Sequence, residues 1–156
     1  MKEQPLESIK ATPEWVRPDL QEEIGEIERV LVEFLNKEPS QENIAVVLRA
    51  LESAPVVDLS EEDWQHLENT DSYKNIRSGH PEDAEKITEG YNTELPPENK
   101  RDFVNILSGF TGGNKMKMPT ILKDTAGRLH LVSGNTRLMI SRALNIKPKV
   151  LIGSIE

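Results

Sequence analysis

The first part of the chain alternates between apolar and polar positions with the period of an α-helix. After Asp19, apolar residues recur at steps of four, three, four and three, which places them on one stripe of a helix that Asp19 can cap. Pro39 ends this helix, and Ser40 begins a second one with a similar apolar face. The pattern predicts a helical hairpin over residues 19–54, with two buried stripes: Leu20, Ile24, Ile27, Leu31 and Phe34, and Ile44, Val47, Leu48 and Leu51.

The segments on either side of this hairpin are less regular. Residues 1–18 contain three prolines and few apolar side chains, so we expect an irregular tail. Residues 55–59 form a short β-prone run, and Ser60 then caps a helix that turns Trp64 and Leu67 inward. The chain up to the glycines at 109, 112 and 113 is predicted as one loop and two helices: residues 69–79, 81–90 and 98–108.

From residue 118 the apolar pattern changes to that of β-strands. Thr120–Leu122 and Leu129–Val132 predict two strands, joined by a turn at Asp124–Gly127 that contains glycine. A helix follows from about Thr136 to Leu144, and the nearly apolar run Val150–Ile152 predicts a strand inside a sheet. Residues 55–156 are therefore predicted to form an α+β domain, in which a small mixed sheet contains a β-hairpin–helix–strand unit.

Composition limits the class of protein. The chain has 156 residues, of which 36% are hydrophobic and 29% charged, and it contains no cysteine. The length suits one domain with an extension, and the lack of cysteine excludes disulfides and thiol chemistry. No apolar run approaches the roughly 20 residues that span a bilayer, and the N-terminus has no apolar leader segment. We therefore expect a cytoplasmic protein that does not bind membranes.

Charge is distributed unevenly along the chain. Residues 1–98 carry 9 Lys and Arg against 24 Asp and Glu, whereas residues 99–156 carry 10 against 3. The overall acidity argues against duplex DNA binding, which depends on neutralising phosphates with cations. The basic C-terminal part can attract a small anionic ligand, or it can pair with the acidic part across an interface inside the molecule.

The loop Ser133-Gly134-Asn135-Thr136-Arg137 has the features of an anion-binding site. A strand ends in glycine and opens directly into a helix, whose first N–H groups have no partner within the helix and carry positive potential. Asn135 and Thr136 can donate hydrogen bonds, and Arg137 offers a planar fork that suits phosphate oxygens. The alternative is that Asn135 or Thr136 only caps the helix while Arg137 pairs with a surface carboxylate.

The order of elements in this region resembles a known family. A helix and a glycine-bearing turn precede Pro119–Leu122, a second strand ends at Ser133-Gly134, Thr136-Arg137-Leu138 opens a helix, and Lys147–Val150 leads into the last strand. This arrangement resembles the N-terminal domain of the ParB chromosome-partition family and the related sulfiredoxin and free-serine kinase families. The resemblance covers Arg101–Ile155 and does not extend to residues 1–54.

The loop agrees with this family in part. Gly134 and Arg137 match the ends of the Gly-Glu-Arg-Arg motif of partition proteins, whereas Asn135 and Thr136 replace its middle residues. The Gly-His-Thr-Arg form of free-serine kinases is more similar, since Thr136 also matches. The resemblance implies a nucleotide site, for ATP or CTP with Mg²⁺. It does not imply sulfiredoxin activity, because that activity needs a cysteine where this chain has Asn135.

Catalytic residues are less clearly marked than the loop. Phosphoryl transfer would need a base and usually acidic metal ligands. Asp58 and Glu61 are acidic candidates after the first predicted strand, and His130 is a candidate inside a strand; solvated helix starts and half-exposed strand positions explain the same residues equally well. His66 and His80 have no partner at metal-ligand spacing, so no metal site is predicted. Lys115 and Lys117 could form a second basic wall of the site or be solvated loop charges.

Two functions of different classes follow. The first is nucleoside triphosphate binding, with hydrolysis or phosphoryl transfer as an extension of it. The second is a non-catalytic interaction module, in which the acidic N-terminal helices bind a protein partner, form a homo-oligomer or mimic nucleic acid. Some relatives in the resembled family are labelled nucleases, but partition proteins bind DNA through a helix-turn-helix domain that follows this unit, and none follows it in this sequence.

Overall fold

The computed structural model describes residues 13–68, 115–143 and 145–155. The described strands are β1 (Glu14–Val16), β2 (Val56–Asp58), β3 (Lys115–Lys117), β4 (Thr120–Lys123), β5 (Leu129–Ser133) and β6 (Lys149–Ser154). The described helices are a 3-10 helix (Leu20–Glu23), α1 (Ile24–Glu33), α2 (Gln41–Glu52), α3 (Glu61–Gln65) and α4 (Asn135–Ala143). The predicted loop at 69–79 and the predicted helices at 81–90 and 98–108 lie outside these residues.

The main sheet has four strands in the order β2-β6-β4-β5. β4 is antiparallel to β5 and parallel to β6, and β6 is antiparallel to β2. The sheet is therefore mixed, and the chain has the predicted α+β class. The prediction that three C-terminal strands share one sheet is confirmed, and so is the helix between β5 and β6.

The turn between β4 and β5 is organised by Asp124. Its Oδ1 accepts hydrogen bonds from the N–H groups of Ala126 and Arg128, both at 2.9 Å. Gly127 has a φ of 84°, a conformation that glycine adopts without the steric penalty of a Cβ. This confirms the predicted β-hairpin with a glycine-containing turn.

Helices cover both faces of the main sheet. On one face Leu122 and Val132 pack against the buried side chains of α1 and α2. On the other face Ile121, Leu131 and Val150 pack against α3 and α4, and α4 contributes Leu138. Trp64 and Leu67 belong to the same cluster, so they face inward as the sequence predicts. Neighbouring strand residues alternate between the two faces, which produces this three-layer arrangement.

The predicted stripe of the first helix is buried only in its middle. Ile27 and Leu31 are 0% and 1% exposed, whereas Leu20 and Phe34 at the two ends are only partly buried. Val30, outside the predicted stripe, is fully buried because the helix packs against the sheet as well as against α2. The hairpin thus shares its core with the sheet.

The N-terminal segment differs from the prediction. Glu14–Val16 forms strand β1, which pairs in parallel with β3, instead of belonging to an irregular tail. The partner strand lies about a hundred positions later in the sequence, so local composition contains no signal for this pairing. Within the described residues, no helix is long and apolar enough to cross a membrane.

Candidate functional site

Gly134 connects the main sheet to α4 and has a backbone conformation that favours glycine. Its φ is 112°, and a Cβ at this position would lie 2.7 Å from the Cβ of Pro119. The carbonyl of Gly134 accepts the N–H of Leu138 at 3.0 Å, so the helix begins directly after the glycine. The N–H groups of Asn135, Thr136 and Arg137 precede the first such bond and have no acceptor one turn earlier in α4.

Arg137 in the first turn of α4 reaches back over this connection. Its Nη1 donates to the carbonyl of Lys117, and its Nη2 lies 3.4 Å from Ser133 Oγ. Burial lowers the pKa of the guanidinium, and the negative charge of Glu23 opposes that effect. Arg137 therefore holds β3 next to the turn, which is a structural role that the sequence does not predict.

Within residues 13–68, 115–143 and 145–155, no ion pair neutralises the charge of Arg137. The salt bridges of other cations pair Arg29 with Glu26, Lys117 with Glu22, Arg128 with Asp124, Arg142 with Glu61, and Lys149 with Asp58. Among the residues that the structure describes, no carboxylate forms such a bridge with Arg137. A guanidinium has five N–H donors, and two of its nitrogens are used by Lys117 and Ser133. As far as the described residues go, N–H donors of Arg137 therefore remain for an anion at the start of α4.

Arg29 belongs to the same region, although it is far away in sequence. Its Nη2 donates to the carbonyl of Val132 at 3.1 Å, and its Nε pairs with Glu26. Val132 is the residue that the β4–β5 register skips between the pairs at Ser133 and Leu131. A bulge of this kind disrupts the strand ladder locally, and Arg29 supplies a donor to the bulged strand. The helical period predicts Arg29 outside the apolar stripe, so only the tertiary structure reveals this contact.

The two lysines that could form a basic wall lie on strand β3. Lys115 and Lys117 are exposed, whereas Met116 between them is buried. Lys117 Nζ lies 2.8 Å from Glu22 Oε1, and its backbone carbonyl accepts from Arg137. Lys117 is thus brought to the turn, with its ammonium group engaged by the 3-10 helix.

The acidic candidates Asp58 and Glu61 are not brought to the turn. Hydrogen bonding to Lys149 lowers the pKa of Asp58, and hydrogen bonding to Arg142 and Gln65 lowers the pKa of Glu61. Arg142 lies five positions after Arg137 along α4, roughly 7.5 Å of helix axis at the usual rise per residue. Glu61 thus pairs with a cation in a later turn of α4, whereas Asp58 pairs with Lys149 at the start of β6.

His130 is also separate from the turn, and its environment differs from the half-exposed position considered for it. It is 1% exposed, its Nε2 lies 2.8 Å from Asp124 Oδ2, and its ring packs against Phe34 with centroids 4.5 Å apart. It lies four positions before Gly134, roughly 13 Å along an extended chain. The pair with Asp124 joins the hairpin turn to α1 and has no contact with the candidate anion site.

An open cavity borders the region without containing the turn. It has a volume of about 280 Å³ and lies between the 3-10 helix and the end of α2, with none of residues 133–137 among its described lining. The cavity is lined by Arg17, Pro18, Asp19, Leu20, Gln21, Glu52 and Leu151.

Comparison with known proteins adds no relative to these observations. No family model, no curated protein and no solved structure matches this chain. The geometry of the turn is consequently the basis for any functional conclusion. It brings Ser133, Gly134 and Arg137 together with Lys117 and Arg29, and α4 has no acidic residue in its first turn.

Proposed function

We propose that this protein binds the phosphate groups of a nucleoside triphosphate at Ser133–Arg137. The observation that carries the proposal is the half-buried guanidinium of Arg137, which has no carboxylate partner among the described residues and lies in the first turn of a helix. A cation at that end of a helix is unfavourable for the helix dipole. A bound phosphate would offset the positive charge of the guanidinium and the partial positive charge of the helix N-terminus. Gly134 supports the proposal because it lets the backbone approach a ligand without a Cβ.

The nucleotide in this proposal is ATP or CTP with Mg²⁺, in a cytoplasmic protein of the ParB/sulfiredoxin-like superfamily. The strand order around the turn, with a hairpin, a helix and a strand that returns beside β4, agrees with what the resemblance implies. Serine, glycine, threonine and arginine around the helix start are the side chains and backbone suited to phosphate oxygens. The proposal specifies neither the base of the nucleotide further nor an acceptor for its phosphate group.

Binding has better geometric support than phosphoryl transfer. Asp58 and Glu61 are each paired with a cation, and His130 is buried beside Asp124. A catalytic base must reach the reacting group within hydrogen-bond distance or through one water. Each of these three candidates is engaged by a partner of its own, so they support phosphoryl transfer less than the turn supports phosphate binding.

A thermal-shift panel tests the proposal. ATP, CTP and GTP with their diphosphates, each with and without Mg²⁺, are compared with the corresponding nucleosides at equal concentration. A ligand that binds only the folded state raises its melting temperature, and a phosphate site requires the triphosphates to do so more than the nucleosides. Equal melting temperatures across the panel would reject nucleotide binding.

The interaction module remains the second candidate, on one observation. Val32 on α1 and Val46 on α2 are 51% and 40% exposed, on helices whose polar surfaces carry many carboxylates. Exposed apolar side chains that are surrounded by charge suit a protein partner or a second copy of the chain better than a small anion. Sedimentation over a wide range of protein concentrations would detect self-association, and a monomer at all concentrations would exclude the homo-oligomer.

A further inference from the structure

The 3-10 helix carries a carboxylate to the proposed phosphate site. Glu22 Oε1 lies 2.8 Å from Lys117 Nζ, although the two residues are 95 positions apart in sequence. The backbone carbonyl of Lys117 in turn accepts from Arg137 Nη1. One residue of β3 therefore connects a carboxylate of the 3-10 helix to the guanidinium at the start of α4.

Other carboxylates from the same part of the chain also act on cations near the turn. Glu26 pairs with Arg29, whose Nη2 donates to the carbonyl of Val132 directly before the turn. Glu23 acts on Arg137 through its negative charge. Cations gathered at an anion site repel one another when no anion is bound, and nearby carboxylates reduce that repulsion.

We propose that Glu22 is an internal counter-ion of the phosphate site and that a bound phosphate group displaces it from Lys117. This inference rests on the proposed function. Phosphate and carboxylate compete for the same cation, so Glu22 weakens binding and binding releases the 3-10 helix from β3. By thermodynamic reciprocity, bound phosphate weakens the contact between the 3-10 helix and β3 by the same factor by which that contact weakens phosphate binding. Loss of the contact therefore strengthens phosphate binding.

The test uses inorganic tripolyphosphate, which has the charge of a triphosphate chain and no base. Titration calorimetry at low ionic strength compares the wild type with Glu22→Gln. Glu28→Gln is the matched control, because it removes the same charge from an exposed position of α1. We expect Glu22→Gln to bind roughly two- to fivefold more tightly than wild type, the range set by an exposed ion pair. Glu28→Gln should bind almost as the wild type does.

A second variant tests whether Glu22 acts on phosphate binding through Lys117. In Lys117→Met the ammonium group is absent, so Glu22→Gln should bring no gain when it is added to that variant. In the wild type, tripolyphosphate should also accelerate amide hydrogen exchange at residues 20–23, because the 3-10 helix loses its contact with β3. Both readouts apply to folded proteins, since Glu22 and Lys117 are more than half exposed.

The outcomes separate this inference from the proposed function. Tripolyphosphate binding by the wild type with equal affinities of Glu22→Gln and Glu28→Gln overturns the inference alone. The inference is also overturned if Glu22→Gln still raises the affinity for tripolyphosphate in the Lys117→Met variant, or if amide hydrogen exchange at residues 20–23 does not change. Binding by Glu22→Gln without binding by the wild type supports it. Failure of every variant to bind rejects the proposed function and the inference together.

Discussion

Gly134 and Pro119 are packed so closely that no side chain fits between them. A Cβ on Gly134 would lie 2.7 Å from Pro119 Cβ and 2.9 Å from its Cα, distances that real Cβ atoms essentially never show. Pro119 precedes β4 and Gly134 follows β5, so the contact closes one end of the hairpin pair where α4 begins. The proposed phosphate site is thereby fixed to the sheet by backbone packing as well as by Arg137.

The first prediction concerns this contact. Gly134→Ala should destabilise the protein by about 2–4 kcal/mol, because the unfavourable φ and the overlap with Pro119 act together. Gly127→Ala is the matched control, since Gly127 has a φ of 84° but open space around a Cβ. That change should cost only about 1–2 kcal/mol, the strain of alanine at positive φ. Urea unfolding of both variants measures the difference, and equal losses would show that the contact with Pro119 is unimportant.

The second prediction concerns the packing of α1 on the sheet. Ile27 is 0% exposed within the cluster that includes Leu51 and Val132. Ile27→Asp places a charge without a partner in that cluster and should destabilise the fold by about 3–5 kcal/mol. Val32→Asp on the same helix is the control, because Val32 is 51% exposed and its aspartate stays hydrated. Thermal melts followed by circular dichroism should separate the two variants clearly; coincident melts would mean that α1 does not pack as described.

The third prediction concerns acid stability. Burial opposes ionisation of Asp124, but hydrogen bonds from His130, Arg128 and Ala126 outweigh it and lower the pKa of Asp124 from 3.8 to about 2. Because the pKa in the folded state is depressed, ionised Asp124 stabilises the fold above about pH 4, and this contribution is lost as the pH falls through about 2. We expect about 1–2 kcal/mol, a value reduced for screening because Arg128 is exposed to solvent.

Urea unfolding from pH 7 down to pH 2 measures this contribution. Asp124→Asn should lower stability at neutral pH and should flatten the decline between about pH 4 and pH 2. Glu62→Gln, an exposed change in α3, should leave the decline as it is in the wild type. A decline of the same size in Asp124→Asn would assign acid sensitivity to other carboxylates.

Local pattern was sufficient to predict α1 to α4 and the four strands of the main sheet. Asp19, Ser40 and Ser60 each accept a backbone N–H at the start of their helices, as their residue types and positions predict. The change of period near residue 118 likewise located β4 and β5, because strand alternation and a glycine turn are written in consecutive residues. Helix caps, turns and strand alternation depend on residues only a few positions apart, so they can be predicted from the sequence.

Contacts between distant segments were not predictable in the same way. The parallel pairing of β1 with β3, the donation from Arg29 to Val132 and the ion pair of Glu22 with Lys117 all join the N-terminal quarter to the C-terminal third. Each depends on how α1 and α2 lie on the sheet, which the period of an amphipathic helix does not specify. For the same reason the sequence indicated the turn at Gly134 but neither the position of its cations nor their carboxylate partners.

The last prediction concerns Arg137 itself. If the turn binds phosphate, Arg137→Ala should weaken nucleotide binding by at least about 1.5–3 kcal/mol, the usual contribution of a hydrogen bond to a charged group. Since Arg137 also donates to the carbonyl of Lys117, this variant should lose some stability, so affinity must be measured at a temperature where both proteins are folded. Arg137→Lys separates the two effects, because lysine keeps the charge and loses the planar fork. It should bind with intermediate affinity.

Arg49→Ala, on an exposed surface of α2, removes an arginine elsewhere and should bind as the wild type does. Titration with labelled ATP and CTP at matched salt, with circular dichroism as the folding control, measures all four proteins. Equal affinities of wild type and Arg137→Ala would exclude Arg137 from the site and leave its bond to Lys117 as its whole role.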